Sequence, residues 1–359
     1  MNATNREKSM KIISIAKCLT GAAAAAALMS GTAIAEEINL RALGLVSTHK
    51  SHTALEKSFY DSLGDKTGLD LNINFNPLDV LGVNMQDTMR VVRAGTFDIV
   101  ETTIGSASRD DPFLEGLDLI GVSPDIDTLK EVVEAYREPF SQRVEEKFNA
   151  KVLTLWPFGP QVFYCKDDVK GIEDMEGLRV RSYTPTMSAL VESFGATPVT
   201  LQFAEVYPAL QRGVAECAIT SPTSGNTGNW PEVTDSLVML SISWSVQTHL
   251  INLDTWNSLS DEAQTELTAA FAELEEQYWE MARVNNGKAV ACSTGQECEE
   301  YLPFDMTEVT PSEADLAQLN ASVEEVILPT WGEACDANFP ECSNIWNETI
   351  GAARGLEIK

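Results

Sequence analysis

The chain has 359 residues, 44% of them hydrophobic, and a formal charge of −29. That length exceeds the usual single core and supplies enough apolar surface for two α/β cores. So acidic a chain repels nucleic acid and anionic membranes, and an anionic solute would need a local, sheltered cation to hold it.

Residues 1–35 read as a cleavable secretory signal. Arg6, Lys8 and Lys11 precede an apolar run from Leu19 to Met29 that is short for a membrane span, and Ala33-Ile34-Ala35 supplies a small-residue cleavage site. The segment carries Arg6, Lys8, Lys11 and Lys17 against Glu7, so the remainder stands at −32, which is −29 less 3. A periplasmic location follows as the expectation.

Alternation from Ile38 to Leu45 predicts a strand, followed by a helix over Ala54 to Leu63 and a second strand over Leu71 to Phe75. His49 and His52 have no evident third metal ligand and read as exposed loop histidines. A helix around Asp87 to Arg93 stops at Gly95, and a short buried strand, Phe97 to Val100, runs into the polar tip Glu101-Thr102-Thr103. Helix and strand alternate, which predicts α/β structure with mainly parallel pairing.

From Lys151 to Pro157 a further strand leads into Phe158-Gly159-Pro160-Gln161, where the chain is expected to leave the first lobe. In the strand Gly177 to Arg181, alternation puts Arg179 and Arg181 on one face. Pairing with surface acids suits Arg179. Arg181, at the strand's end before the turn Ser182 to Pro185, is the expected anion anchor. A guanidinium fork gives a carboxylate two charge-assisted hydrogen bonds, and at ~4 Å with an effective dielectric of about 20 the attraction is on the order of 4 kcal/mol before desolvation.

A helix over Glu205 to Arg212 tolerates Pro208 in its first turn and ends at Gly213; Glu216, the strand Cys217 to Ile219 and the tip Thr220-Ser221 follow. This repeats the unit of Gly95, Asp98 and Ile99: helix, glycine, two residues, acid, strand. Two such lobes facing one another place both tips in the cleft between them. Candidate binding residues are therefore Arg181, the tip residues Glu101 and Thr220, and Trp156, Phe158 and Trp244 around the crossings. A return crossing is expected near Thr248 to Asn252. Ser260 then caps a long helix, Asp261 to Asn286, with Asp261 and Glu262 in its first turn, and this helix is expected to brace both lobes. Ser312 to Trp331 reads as another helix, interrupted by Pro329. Lobe I would comprise 36–158 plus about 250–290 and lobe II 159–249 plus about 291–359.

Setting Cys18 aside, six of the seven cysteines remain, an even number that suits an oxidising compartment. Cys292 with Cys298, and Cys335 with Cys342, bracket short stretches and suggest local staples, leaving Cys165 and Cys217 to pair. Thiolate zinc sites favour tighter paired spacings. Catalytic patterns are poorly represented: there are only three histidines, with no metalloprotease helix, nucleophile elbow or phosphate-binding glycine loop. No enzyme activity, cofactor or metal is expected. Two alternatives stay open, a secreted hydrolase or lyase using a carboxylate pair and a binding protein serving an ATP-driven importer or a sensor.

Three motifs carry a family resemblance. Gly177-Leu178-Arg179-Val180-Arg181, Phe194-Gly195-Ala196-Thr197-Pro198 and Glu205 to Glu216 resemble, in order and spacing, the solute-binding subunit of tripartite ATP-independent periplasmic (TRAP) transporters. The likeness extends loosely through Leu81-Gly82, Arg93-Ala94-Gly95 and Asp98. It implies a two-lobed periplasmic-binding-protein-like fold of type II-like form, with a hinge, a helix spanning both lobes and closure on ligand. It also implies a carboxylate clamp at Arg181, a small organic-acid ligand and two integral membrane subunits, small and large, driven by an ion gradient. Where many members have a second arginine after the glycine matching Gly159, this chain has Pro160 and Gln161. Where they have an Asp-Gly-Gln-Glu-Asn run, it has Glu216 to Thr220, so Thr220 or Asn226 is the expected substitute for an amide contact.

Overall fold

A computed structural model describes residues 37–359; the expected secretory segment lies outside the described residues. Strands β1 (Ile38–Gly44), β2 (Leu71–Pro77), β3 (Ile99–Thr103), β4 (Ala150–Pro157), β5 (Val162–Cys165), β6 (Arg179–Ser182), β7 (Thr197–Thr200), β8 (Cys217–Thr220), β9 (Ser236–Val238), β10 (Val246–Asn252) and β11 (Thr307–Val309) form two sheets. The first has the order β2-β1-β3-β10-β4 and the second β11-β9-β5-β8-β6-β7. Each is mixed: β1 pairs in parallel with β2 and β3, β6 with β7 and β8, while β10 and β5 run antiparallel to their neighbours.

The two antiparallel strands follow from how the chain crosses between lobes. It leaves the first sheet after β4 and enters the second at β5, then returns from β9 to β10. The two crossings hydrogen-bond to each other: Phe158 N to Ser245 O, Gly159 N to Trp244 O, Gln161 N to Ser243 O and Ile242 N to Gln161 O, at 2.8–3.1 Å. This paired segment is the hinge. The return therefore lies at Ile242 to Ser245, a few residues before the expected Thr248 to Asn252, which is already strand in the first sheet.

Ser260 caps the long helix, its hydroxyl accepting from Ala263 N at 3.2 Å, with Asp261 and Glu262 in the first turn where acids offset the helix dipole. The helix runs from Asp261 to Ser293, 33 residues, or about 50 Å at the usual rise. Near its middle it is tied to lobe I by Trp279 Nε1, which donates to Leu155 O at 3.0 Å, and at its end to lobe II by Ser293 Oγ, which accepts from Asn226 Nδ2 at 3.1 Å. Between these, Asn286 Nδ2 donates to Phe158 O in the hinge. A Cβ on Gly159 would lie 2.3 Å from Asn286 Oδ1, so any side chain there would displace the amide that ties helix to hinge.

Beyond Ser312 the helix does not break at Pro329. A π-helical stretch, Val323–Ile327, intervenes and Pro329 falls in the first turn of the next helix, Leu328–Asn338, where its missing N–H is tolerated. This tail bridges the lobes instead of belonging to the second alone: Asp315 Oδ1 accepts from Ile172 N, while Trp331 and Trp346 donate to Pro112 O and Gly116 O. Disulfides join Cys165–Cys217, Cys292–Cys298 and Cys335–Cys342. The first links directly opposed residues of β5 and β8. No helix among the described residues is long and apolar enough to cross a membrane.

Candidate functional site

Between the lobes, beside the hinge, lies a cavity of about 350 Å³. Arg181 reaches it from β6. Helix Phe203–Gln211 and the tip of β8 contribute Phe203, Thr220 and nearby Ser224; the first lobe contributes His49, Leu78, Val83, Met85 and Thr103; the hinge contributes Phe158, Gln161, Ser245 and Gln247.

Arg181 is 4% exposed. Its Nε donates to Leu201 O at 3.1 Å and its Nη1 to Ile219 O at 2.7 Å. Two of the five donors of a guanidinium are thus held by carbonyls, which fixes the group and leaves the Nη2 donors uncommitted. The Tyr183 and Trp230 rings lie 4.8 and 5.7 Å from its central carbon. None of the ion pairs among the described residues includes it. Burial lowers its pKa to about 10, so it remains a cation at neutral pH. A buried cation without an acid is costly unless something supplies the countercharge.

Polar groups around it are held in place by one another. Tyr183 donates to Gln161 Oε1 at 3.0 Å, Gln161 Nε2 donates to Gly159 O, and Thr103 donates to Gln247 Oε1 at 2.7 Å. Opposite, His49 packs edge-on against Phe158 with ring centres 4.8 Å apart and tilts against Phe203 at 5.2 Å; burial lowers its pKa to about 4, leaving it neutral. His49 and His52 are accordingly not exposed loop residues: His52 is buried, stacked 4.1 Å from the Phe158 ring.

Of the residues singled out from sequence, Arg181, Phe158, Gln161 and Thr220 line the cavity. The other four lie elsewhere. Trp156 is inside lobe I, stacked 3.8 Å from Tyr278. Glu101 is 1% exposed, one layer behind the cleft wall, accepting from Leu45 N. Asn226 is spent on Ser293 and Leu302, and Trp244 donates to Pro124 O at 3.3 Å. Trp156, Glu101 and Asn226 point into buried contacts, and Trp244 lies against the exposed Pro124.

The family model for bacterial extracellular solute-binding protein, family 7, matches residues 44–329. The chain belongs to this family. It is 26% identical to the ectoine-binding periplasmic protein TeaA of Halomonas elongata over 43% of this chain and 44% of that one, and 25% identical to the sialic acid-binding periplasmic protein SiaP of Vibrio cholerae over 57% and 64%. These matches thus span about half to two thirds of the relatives' length. A Bordetella pertussis extracytoplasmic solute receptor binding pyroglutamic acid superposes with TM-score 0.75 at 20% identity, over 89% of this chain and all of that one. A TRAP periplasmic solute-binding protein from a Sulfitobacter species, with bound β-D-galacturonate, does so at 0.74 and 17%, over 87% and 99%. The two-lobed fold is the one these structures share.

Several wall residues of this family 7 chain escaped sequence reasoning. Tyr183 was hidden in a turn-forming stretch, although it stands two residues after Arg181. Gln247 lies on the return strand, whose start was placed too late. Phe203 and His49 sit at helix entrances, where pattern reading is least certain.

Proposed function

We propose that the protein captures a small organic monocarboxylate in the interlobe cleft, in the periplasm, and delivers it to the small and large membrane subunits of a TRAP transporter. The observation that carries this reading is Arg181: a buried cation, held by two carbonyls, with no acid beside it and its remaining donors at the cavity. A ligand carboxylate supplies the missing countercharge, and closure of the lobes about the hinge sequesters it. The relatives named for pyroglutamic acid and galacturonate also take carboxylates.

The rest of the wall narrows the class. Arg181 is the one Arg or Lys among the residues lining the cavity, and Asp79 is an acid there, so a second carboxylate finds repulsion. Phe158, Phe203, Leu78, Val83 and Met85 favour a flat or branched apolar body. Calorimetric titration with benzoate, pyroglutamate and branched 2-oxo acids against succinate and glucuronate tests this. Benzoate, pyroglutamate and the branched 2-oxo acids should bind at least about tenfold tighter than the dicarboxylate succinate or the polyhydroxylated glucuronate. An uncharged amide that bound as well as its parent acid would remove the anion reading.

A further inference from the structure

Behind the cleft wall, inside the first lobe, Glu56 of helix Lys50–Thr67, Glu101 of β3 and His249 of β10 meet in the core. They are 1%, 1% and 0% exposed, and one ligand atom from each lies within 4.8 Å of the others. No lysine or arginine pairs with either carboxylate among the described residues; the one ion-pair contact is His249 Nε2 to Glu56 Oε1 at 3.4 Å.

The outward-facing atoms of Glu101 and His249 are satisfied. Glu101 Oε2 accepts from Leu45 N at 3.1 Å, and His249 Nδ1 lies 2.7 Å from Thr154 Oγ1, which also accepts from His249 N. The imidazole is sandwiched among Trp156, Phe271 and Tyr278. With an Nδ1–H donated to Thr154, the Nε2 lone pair points inward, the arrangement by which an outer partner orients a ligating histidine. The inward atoms, Glu56 Oε1, Glu101 Oε1 and His249 Nε2, have no hydrogen-bond partner. The buried hydroxyl of Tyr60 lies beside Glu56.

We infer that Glu56, Glu101 and His249 hold a divalent transition-metal ion of the zinc or manganese kind, in a structural site separate from the solute cleft. One nitrogen and two carboxylate oxygens suit such ions, and a double positive charge neutralises two buried carboxylates at once. The rival occupant is a proton on one carboxyl. It would join the two glutamates and leave His249 Nε2 facing Glu56 at 3.4 Å without an aligned hydrogen bond, whereas a metal uses every inward atom. Because the cluster is sealed in a packed core, the ion enters as the lobe folds, so binding and folding are coupled.

The test uses the untagged secreted chain, unfolded in guanidinium with EDTA while its disulfides stay intact. It is then refolded without metal, with Zn²⁺, or with Mn²⁺, and dialysed. About one equivalent should be retained per chain from one of the two metal refoldings, with a Tm at least about 5 °C above the metal-free sample. Refolding with Co²⁺ should give visible d–d absorption from bound ion. Glu101→Gln and His249→Gln should each retain less than about a fifth of an equivalent, and Arg181→Ala the full amount. The inference is overturned if the parent retains less than about a tenth of an equivalent and melts at the same temperature with and without metal, or if both variants keep a full equivalent. The parent's stoichiometry and cobalt spectrum decide the matter even if a variant fails to fold.

Discussion

Arg41 in β1 and Arg179 in β6 occupy the same place in the two lobes, yet the residues two steps beyond them differ in kind. Arg41 binds Asp98 through its backbone N and side chain and donates to Gly95 O; Arg179 binds Glu216 in the same way and donates to Gly213 O. The return contacts match as well, Asp98 N to Arg41 O and Glu216 N to Arg179 O. The unit of helix, glycine, acid and strand is therefore closed in each lobe by an arginine on the neighbouring parallel strand. In the shared register Leu43 sits opposite Val100, and Arg181 sits opposite Ala218. Leu43 is buried in a core, whereas Arg181 opens onto the cavity. One lobe keeps the position for packing and the other has turned it into a charge, so the lobes share a frame but not a task.

The largest effect should come from removing that charge. Arg181→Ala is expected to weaken carboxylate binding about 100-fold or more, the usual loss when one partner of a buried charge pair is truncated. Arg181→Lys should recover part of this and remain about tenfold weak, because an ammonium cannot reproduce the fork. Titration calorimetry on both, with melting temperatures to verify folding, separates the cases. Equal affinity in Arg181→Ala and parent would put the anion elsewhere.

Tyr183→Phe comes next, with a loss of about fivefold, near 1 kcal/mol for one hydrogen bond. The hydroxyl holds Gln161 Oε1 at the hinge, so its removal loosens the polar wall without touching the cation. An unchanged affinity would show that Gln161 needs no such tether.

A pH effect probes the interlobe frame. Burial raises the Asp118 carboxyl to about 7, its Oδ2 accepting from Val246 N at 3.0 Å where β10 starts. A carboxyl raised in the folded state stabilises most when protonated in both states, so its contribution is full below the unfolded value near 4 and disappears as pH rises through about 7. Asp118→Asn should remove that part of the slope of melting temperature between pH 4 and pH 7.5. Parallel slopes in parent and variant would sink the assignment.

How much of this was legible beforehand depends on range. The repeated glycine and acid, the Ser260 cap and the arginines on one strand face are local patterns, and each has a local physical cause that sequence carries. Arg181 could be singled out because a strand's end in an α/β lobe opens toward the cleft and because the chain has few cations to confuse it. Trp156 and Glu101 misled for the opposite reason: alternation gives a side chain's face but not what packs on that face, and Tyr278 of helix Asp261–Ser293 covers Trp156 while Glu56 of helix Lys50–Thr67 and His249 enclose Glu101. His52 was hidden likewise, since its partners Phe158 and Tyr278 are more than 100 positions away.

The smallest expected effect is the most discriminating. Arg179 shares strand and face with Arg181, but its side chain is 48% exposed and every donor in use goes to Glu216, Val214 O or Gly213 O. Arg179→Ala should therefore leave carboxylate affinity within about twofold and lower stability by about 1 kcal/mol or less, as exposed ion pairs do. The matched change in the first lobe, Arg41→Ala, should cost somewhat more, because Arg41 Nε and Nη2 both bind Asp98, which is 8% exposed and whose carboxylate would lose its cation. If Arg179→Ala instead cut affinity as deeply as Arg181→Ala while its melting temperature held, the second lobe would be using two cations for one ligand. The correspondence with Arg41 would then describe a shared shape without a shared role.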